Sequence, residues 1–194
     1  MTYFTSDQHF GHFNIIRLSG RPFTSVEEMD AALLARWNAK VGPEDTVHVL
    51  GDLFFRAAVV EPILERLNGR KHLILGNHDE SWIGRVGLAR YFESVQTLKE
   101  VTVDGRRMTL CHYPMLSYPE ARRSYMIYGH IHNNVGDDYW PLIQRRPRML
   151  NAGVDVNGFA PVTFDELVAN NRAFNAAHSD AAKANPFDLY CAER

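Results

Sequence analysis

Seven positions in this 194-residue chain place metal-ligating side chains at the abrupt ends of short apolar runs. They belong to five groups: Asp7-x-His9, Gly51-Asp52, Gly76-Asn77-His78-Asp79, His112 and Gly129-His130-x-His132. A lone histidine or Gly-Asp pair is usually structural, but chance placement is a poor explanation for the whole set. Imidazole, carboxylate and amide oxygen together favour Mn, Fe, Zn or Ni over the all-oxygen sites of Mg or Ca. The absence of a thiolate cluster argues against a closed structural zinc site.

Each group follows a short apolar run, which predicts a buried strand bounded by turn residues. The five runs are Tyr3–Thr5, Thr46–Leu50, His72–Leu75, Met108–Cys111 and Tyr125–Tyr128. In sheets that alternate with helices, polar chemistry collects on loops at the strand ends. Asp7 and His9 are two residues apart at such an end, as are His130 and His132, so we expect each pair to point to one side.

Helical patterns separate the early strands. Ser25 and Glu28 are spaced as a capping box, and the apolar residues that follow at four-residue spacing predict a helix with one buried face. Those apolar residues are Met29, Leu33, Trp37 and Val41. Two further helices are predicted at Val59–Leu67 and at Ser81–Tyr91, the latter weakened by two glycines.

The second half of the chain is dominated by strands. The runs Val95–Val103 and Arg107–Cys111, separated by Asp104-Gly105, predict a hairpin. Thr163 with Glu166 then forms a second capping box, which predicts a final helix to residue 174. Alternation in the first half and hairpins in the second indicate an α/β fold, a two-sheet mixed β-sandwich flanked by helices.

The composition is that of an ordinary globular protein, with 45% hydrophobic residues, 23% charged residues and a net charge of −2. We expect one domain over residues 1–175 and a polar, alanine-rich tail over residues 176–194. The sequence predicts no export signal and contains no apolar stretch of membrane-spanning length. Only Cys111 and Cys191 are available for a disulfide, which favours the reducing environment of the cytoplasm. Because no apolar stretch is long enough to span a membrane, we expect no membrane partner.

The basic residues are skewed, since 17 are Arg and only four are Lys. Codon bias is one explanation, and phosphate binding by guanidinium groups is another. The paired arginines either form a solvated face or a rim that attracts anionic substrates; they are Arg106-Arg107, Arg122-Arg123 and Arg145-Arg146, with Arg148 nearby. No dedicated nucleic-acid-binding module is visible, a nucleotide substrate is left open, and the sequence gives no oligomeric state.

The five ordered groups resemble the signature of the calcineurin-like metallophosphoesterase superfamily, with motifs from Asp7 to His132. The similarity to small bacterial and phage-type members is closer still. It includes Phe10–Ile16 after the first group and Val154–Gly158 before the last helix, so most of the chain is covered. The resemblance implies the metallophosphoesterase fold, in α-β-β-α layers.

This resemblance implies a centre of two divalent metal ions, with Mn preferred and Fe, Zn or Ni as alternatives. Asp52 would bridge them, since a carboxylate has two oxygens and reduces the repulsion between the cations. The first metal site would be completed by Asp7, His9 and His132. The second would be completed by Asn77, His112 and His130.

The resemblance also implies a mechanism, namely in-line attack on phosphorus by a hydroxide that bridges the metals. In the family the histidine of the Gly-Asn-His motif is not a ligand. Here it is His78, which would protonate the leaving-group oxygen or stabilise its charge. Arg56, His12 and Asn77 are the candidate substrate contacts.

One departure from the wider superfamily bears on the substrate. In the protein serine/threonine phosphatases, Gly-Asp is followed by two residues, an aspartate that orients the catalytic histidine, and an arginine that grips the phosphate. Here Arg56 is retained but Phe55 replaces that aspartate, so the residue that orients His78 must come from elsewhere or is missing. The run Leu53–Phe55 either lines a leaving-group pocket or, as we expect, belongs to the core. We therefore favour a phosphodiesterase, with a phosphomonoesterase as the alternative because Arg56 could bind the extra charge.

Three other interpretations are weaker. His78-Asp79 is a His-Asp dyad, but in helical HD-type phosphohydrolases that dyad lies inside a helix, whereas here it follows a strand and a sharp turn. The metallo-β-lactamase pattern His-x-His-x-Asp-His is not present in the sequence. A non-catalytic binding scaffold of the same fold is expected to have lost ligands, and here all seven ligand positions and His78 are intact.

Overall fold

The computed structural model describes residues 1–179, and in this part of the chain eight strands form two four-stranded sheets. The first sheet is parallel and follows the chain order. It contains β1 (Thr2–Thr5), β2 (Thr46–Val49), β3 (Arg70–Ile74) and β4 (Phe92–Gln96). In the second sheet the first pair is antiparallel and the others are parallel. It contains β5 (Leu98–Val103), β6 (Arg106–Cys111), β7 (Tyr125–Tyr128) and β8 (Met149–Asn151).

Within residues 1–179 there are seven α-helices, of which the first six lie between strands and the seventh follows β8. They are α1 (Phe13–Leu18), α2 (Val26–Lys40), α3 (Val60–Leu64), α4 (Glu80–Ile83), α5 (Leu88–Tyr91), α6 (Trp140–Gln144) and α7 (Phe164–Ala177). Crossovers between parallel strands are right-handed, so a sheet whose strands follow the chain order carries its crossover helices on one face. The first five helices therefore leave the other face of the first sheet free for the second sheet.

Three buried clusters define the layers. The interior of the sandwich contains Phe4, Leu50 and Ile74 from the first sheet side, packed against the apolar face of the second. The outer face of the first sheet packs against α2 and α3, and the outer face of the second packs against α6 and Phe174 of α7. The predicted α/β sandwich in α-β-β-α layers is therefore confirmed.

Side-chain caps fix the starts of the two long helices where the sequence predicts them. Ser25 accepts a hydrogen bond from the amide of Glu28 at 3.1 Å, while the Glu28 carboxylate bonds Thr24 at its amide and hydroxyl. The capping box of α7 has both of its arms, from the Glu166 amide to Thr163 and from the Thr163 amide to Glu166. Each cap satisfies amides that would otherwise lack partners at a helix start.

Two predicted helices are shorter than expected. The segment Val59–Leu67 forms a 3-10 turn at Ala57–Val59, then α3, and it leaves the helix at residue 65. The segment Ser81–Tyr91 is not one helix but two, α4 and α5. Gly84 and Gly87 lie in the break because glycine is a poor helix former, and the ψ of 82° at Gly87 is not helical.

The predicted hairpin is correct at its turn and wrong at its start. Val103 pairs with Arg106 across Asp104-Gly105, whose φ angles of 48° and 74° are those of a tight hairpin turn. The predicted first strand, Val95–Val103, is however divided between the sheets. Its first residues belong to β4 and its remainder to β5, so the chain passes from one sheet to the other at residue 97.

All parallel strands of one sheet end at the same edge, and the two sheets meet there through a bridge between Ser6 and Gly153. The functional loops extend from this edge. At the other end of the chain, α7 continues to Ala177, and residues 180–194, which include most of the predicted tail and Cys191, lie outside the described residues. Among the described helices, none has the length and apolar character needed to span a membrane.

Candidate metal centre

The loops that follow β1, β2, β3, β6 and β7 converge on one site. Several residues of these loops have an unusual backbone conformation. Five residues of the predicted metal-binding set have left-handed φ angles; they are Asp7 (60°), His9 (54°), Asp52 (55°), His130 (71°) and His132 (50°). Such residues cost about 1–3 kcal/mol each and persist only where their surroundings fix them. Here backbone hydrogen bonds fix them, as from the Asp7 amide to the Gly51 carbonyl and from the His9 amide to the Asp52 carbonyl, both 3.0 Å.

The expectation that strand alternation points both side chains of the Asp7/His9 and His130/His132 pairs to one side is therefore wrong. Neither pair continues a strand, so strand alternation does not decide where the side chains point. Asp7 and His9 do face the same place, but His130 and His132 face different partners. Nδ1 of His130 lies 3.0 Å from Oδ1 of Asn77, whereas Nε2 of His132 lies 4.0 Å from Oδ1 of Asp7.

The first group of potential ligands consists of Asp7, His9 and His132, each with one ligand atom within 4.8 Å of the others. His9 is buried, and both of its ring nitrogens lack a hydrogen-bond partner. Burial, together with the charge of His132, lowers the pKa of His9 well below its ordinary value. A neutral imidazole with an unshared lone pair beside carboxylates is suited to a cation, so this donor set fits a divalent metal.

The second group consists of Asp52, Asn77, His112 and His130. Nε2 of His112 lies 3.1 Å from Oδ1 of Asn77 and 3.5 Å from Oδ2 of Asp52. The same carboxylate oxygen lies 3.6 Å from Nε2 of His9, so Asp52 lies between the two groups. Ligand atoms of Asp7, Asp52 and His112 also fall within 4.8 Å of one another.

The electrostatics of the second group show what this site attracts. Burial alone would lower the pKa of His112, but its hydrogen bond to Asp52 and the charges of Asp7 and Asp52 raise it to about 9. Burial alone would raise the pKa of Asp52, but its bond and charge interaction with His112 lower it to about 2. The carboxylates of Asp7 and Asp52 thus favour a proton on His112, and a divalent cation at the same place would compete with that proton.

A buried ion pair supports the first group from behind. Asp155 accepts two bonds from Arg21, at 2.8 and 3.0 Å, and faces Nδ1 of His132 at 2.8 Å. This contact holds His132 with Nε2 towards Asp7, and it offsets the effect of burial so that the pKa of His132 is raised. Arg21 also donates to the backbone carbonyls of Asp7 and Gln8 at 2.7 and 2.8 Å. Sequence reasoning missed Arg21 entirely, and it quoted Asp155 only as part of a motif.

Asp79 ties two of the loops together. Its buried carboxylate accepts hydrogen bonds from the amides of Asp52 (2.9 Å), Leu53 (3.1 Å) and Gly76 (2.8 Å), and from Nε1 of Trp82 (2.9 Å). Burial raises the pKa of Asp79 to about 6 against the effect of these bonds. In the sequence, the only indication that Asp79 links these loops is its position directly after His78.

The glycines of the motifs are required by close approach. A Cβ atom on Gly76 would lie 2.3 Å from Oδ1 of Asp52, and one on Gly129 would lie 2.5 Å from Oδ2 of Asp7. At these distances no side chain fits without displacing a potential ligand. Gly76 and Gly129 are therefore needed for the potential ligands to lie as close to the backbone as they do.

His78 lies at the rim of the site, with its side chain 41% exposed. Its amide donates to Oδ1 of Asp52 at 2.9 Å, and Nε2 lies 4.0 Å from the other oxygen of that carboxylate. The His78 ring centroid lies 5.2 Å from that of His9 and 5.4 Å from that of Phe55. Phe55 in turn stacks on His12, 3.6 Å apart and nearly parallel.

Phe55 corrects one expectation about the core. Leu53 and Phe54 are buried as predicted, but Phe55 is 38% exposed and lines the cleft above the site. It occupies the place where a phosphatase has its histidine-orienting aspartate, and it presents an aromatic face instead.

The cleft has a volume of about 910 Å³, and four of the site histidines line it: His9, His78, His130 and His132. The rest of the lining mixes polar residues such as Asn133 and Asp137 with apolar ones, of which Leu18 and Phe55 are exposed. His12 also lines the cleft, and burial followed by the charge of His78 lowers its pKa to about 4. Arg56 is exposed beside Gly11 and is not part of the cleft lining.

Comparison with known proteins agrees with this geometry. The profile of the calcineurin-like phosphoesterase superfamily domain matches residues 4–155. The chain is similar to an uncharacterized protein of Methanocaldococcus jannaschii, 35% identical over 86% of this chain and 88% of the other. It is also similar to the gene 66 protein of Mycobacterium phage D29, 28% identical over 79% and 87% of the two chains.

Among solved structures, a protein of unknown function from Aquifex aeolicus is similar, with 30% sequence identity and a TM-score of 0.66. The match covers 86% of this chain and 96% of that one. The order of the motifs, the two sheets and the converging side chains thus have a common explanation. This chain belongs to the calcineurin-like phosphoesterase superfamily.

Proposed function

We propose that this protein is a metal-dependent phosphodiesterase with two divalent ions at the converging loops. The observation that carries the proposal is the position of Asp52, one oxygen of which lies within 3.6 Å of a histidine from each ligand group. A carboxylate in that position can serve two cations that together clamp one phosphoryl group. Membership of a phosphoesterase superfamily supports hydrolysis as the reaction class.

The chain's own donors divide naturally between two ions. The first would be held by Asp7, His9, Asp52 and His132, and the second by Asp52, Asn77, His112 and His130. The mixed imidazole, carboxylate and amide donors support Mn as the first choice, with Fe, Zn and Ni as alternatives. When bound, the ions would polarise the phosphoryl group and lower the pKa of the attacking water.

His78 is proposed as the proton donor to the leaving group. Its ring projects into the cleft, and its amide is held by Asp52, so the ring keeps a fixed relation to the site. The contacts with His9 and Phe55 take the place of an orienting carboxylate. His12 and Asn77 would contact the substrate, whereas Arg56 would need to swing into the cleft to do so.

Two observations favour a diester over a monoester. The exposed apolar side chains of Leu18 and Phe55 in the cleft can receive a second ester substituent, and a diester carries only one negative charge on its phosphate. A monoester presents an additional terminal charge, and Arg56, the expected partner of that charge, does not line the cleft. The free thiol of Cys111 is compatible with the cytoplasm as the compartment in which the enzyme works.

The test compares bis-p-nitrophenyl phosphate with p-nitrophenyl phosphate on metal-stripped protein titrated with Mn, Ni, Zn and Mg. We expect faster turnover of the diester, with Mn or Ni most effective. His78→Ala should lower kcat by about 10²–10⁴-fold with metal content unchanged, since it removes only proton transfer. His178→Ala, at the end of α7, is the matched control and should keep the wild-type rate.

Each other outcome selects a different function. Preference for the monoester would make the protein a phosphatase and give Arg56 a phosphate-binding role. Buffer-level rates on both substrates, unchanged by His78→Ala, would favour a binding scaffold of the same fold.

A further inference from the structure

A concentration of positive charge lies in the segments that precede β7 and β8, outside the proposed hydrolytic site. Segments 113–124 and 145–148 contain five arginines and one acidic residue, Glu120. The carboxylate of Glu120 is paired with Arg107, outside both segments. The rest of the chain contains 16 Lys and Arg against 22 Asp and Glu, so these segments oppose the charge of the protein as a whole.

Four of these side chains form what we call the arginine cluster: Arg122, Arg123, Arg146 and Arg148. A guanidinium nitrogen of Arg148 lies 3.4 Å from the Arg123 carbonyl, and its Cζ lies 4.8 Å from the ring centroid of Tyr125. Arg146 donates to the Leu116 carbonyl at 2.9 Å. Among residues 1–179 none of the four forms an ion pair, so their charge is available to an anion outside the chain.

The first residues of segment 113–124 lie between the metal centre and Arg146 of the arginine cluster. The ring of Tyr113 lies 5.1 Å from that of His112 and 4.7 Å from that of His130, and Tyr113 is 46% exposed. Three residues further on, exposed Leu116 is held by Arg146. Three residues span at most about 11 Å, so an aromatic face beside the metal centre lies close to guanidinium groups.

We propose that Tyr113, Leu116 and the arginine cluster form a strip that binds a single-stranded nucleic acid. The planar guanidinium groups contact successive phosphates, and one base stacks on Tyr113. A single strand is favoured over a duplex because stacking on a side chain requires an unpaired base. Through the ring of Tyr113 the strip contacts His130, which lines the cleft, and this contact distinguishes it from a basic surface for anionic lipid. Binding does not require hydrolysis, but the conclusion that the strand is a substrate rests on the proposed function.

The test measures fluorescence anisotropy of a labelled 12-nucleotide single-stranded DNA with the intact protein, in EDTA, from 50 to 300 mM KCl. Arg122→Gln with Arg123→Gln removes two exposed charges outside the catalytic machinery. Each lost phosphate contact reduces the slope of log affinity against log salt by about 0.7, so we expect a reduction of about 1.4. Affinity at 50 mM KCl should fall at least about tenfold. Tyr113→Leu should weaken binding by about five- to 100-fold through lost stacking.

The matched control is Arg66→Gln with Arg172→Gln, two exposed arginines outside the strip. It should leave the salt slope within error of the wild type, although it changes the net charge equally. Equal behaviour of the two double variants would overturn the strip, as would arginine-dependent binding to phosphatidylserine vesicles without binding to the DNA.

Hydrolysis of bis-p-nitrophenyl phosphate separates this proposal from the previous one. Both double variants should retain the wild-type rate on this small diester. A wild type that binds DNA through the strip but hydrolyses neither small ester would refute the phosphodiesterase and leave the strip standing. A wild type that hydrolyses the diester and binds DNA no better than the Arg122/Arg123 variant would refute the strip alone.

Discussion

Two sets of histidines with buried or half-buried rings have opposite surroundings in this protein. The loop histidines, His9, His112 and His132, lie beyond the strand ends and face carboxylates. The strand histidines, His48 and His72, lie inside β2 and β3, where their rings stack with centroids 5.0 Å apart. The strand histidines pack against each other, whereas the loop histidines face carboxylates with which they could share a metal ion.

The sign of the neighbouring charge explains the difference. Burial and, to a lesser extent, the charges of His72 and Lys99 lower the pKa of His48 to about 3, so the surroundings of His48 repel cations. Asp52 has the reverse effect on His112, whose pKa is raised to about 9. Both His9 and His48 contain ring nitrogens without partners. An unpartnered buried nitrogen therefore indicates a metal site only where carboxylates surround it.

The largest expected effect comes from removing the charge that defines the loop histidines. Asp52→Asn keeps the shape of the side chain and removes the anion between the two ligand groups. We expect the metal content, measured by elemental analysis, to fall from two to at most one ion per chain. The rate on the diester should fall by at least about 10²-fold. Asp165→Asn, an exposed residue of α7, is the control; two tightly held metals and full activity in Asp52→Asn would refute the bridging role.

A smaller effect is expected from the support behind His132. Asp155→Asn leaves Arg21 buried without its counter-ion, so the free energy of unfolding should fall by about 3 kcal/mol. Loss of the carboxylate on Nδ1 should weaken metal binding by about 10–100-fold, measured by competition with a chromophoric chelator. Glu44→Gln breaks an exposed ion pair with Arg70 and should change stability by less than about 1 kcal/mol. Metal affinity unchanged by Asp155→Asn would show that His132 needs no support.

The smallest effect on activity is expected at the strand histidines, whose contribution to stability changes only in acid. The pKa of His48 is about 3 in the folded protein and 6.5 in an unfolded chain, so the unfolded state takes up the proton first as pH falls. The associated stability is fully present above pH 6.5 and is lost progressively towards pH 3. His48→Leu should therefore lose about 3 kcal/mol less than the wild type between pH 7 and pH 4 in urea unfolding. Activity at pH 7 should not change, and parallel pH profiles would contradict this account.

Local sequence signals predicted much of the framework. The strands before each motif, the caps of α2 and α7 and the Asp104-Gly105 turn all depend on residues near one another in the chain. The division of Val95–Val103 between two sheets could not be predicted, because both halves have the composition of buried strands. Only the packing of one sheet on the other decides which strand each half joins.

The composition of the site was predictable in a way that its geometry was not. Side-chain chemistry pointed to the residues that converge, but the left-handed backbone of Asp7, His9 and Asp52 is imposed by hydrogen bonds between distant loops. Arg21 follows the first motif by twelve residues and has no local signature. The position of Phe55 likewise involves a residue distant in the sequence, His12, whose ring stacks against it.

The carboxylate of Asp79 has a mechanical consequence. Asp79 and Asp52 are 27 positions apart in sequence, yet one side chain holds the amides of both loops. A displacement of either loop would therefore be transmitted to the other through these hydrogen bonds. Asp52 and the backbone of His78, whose amide bonds the Asp52 carboxylate, would then keep their spacing while a ligand enters the cleft.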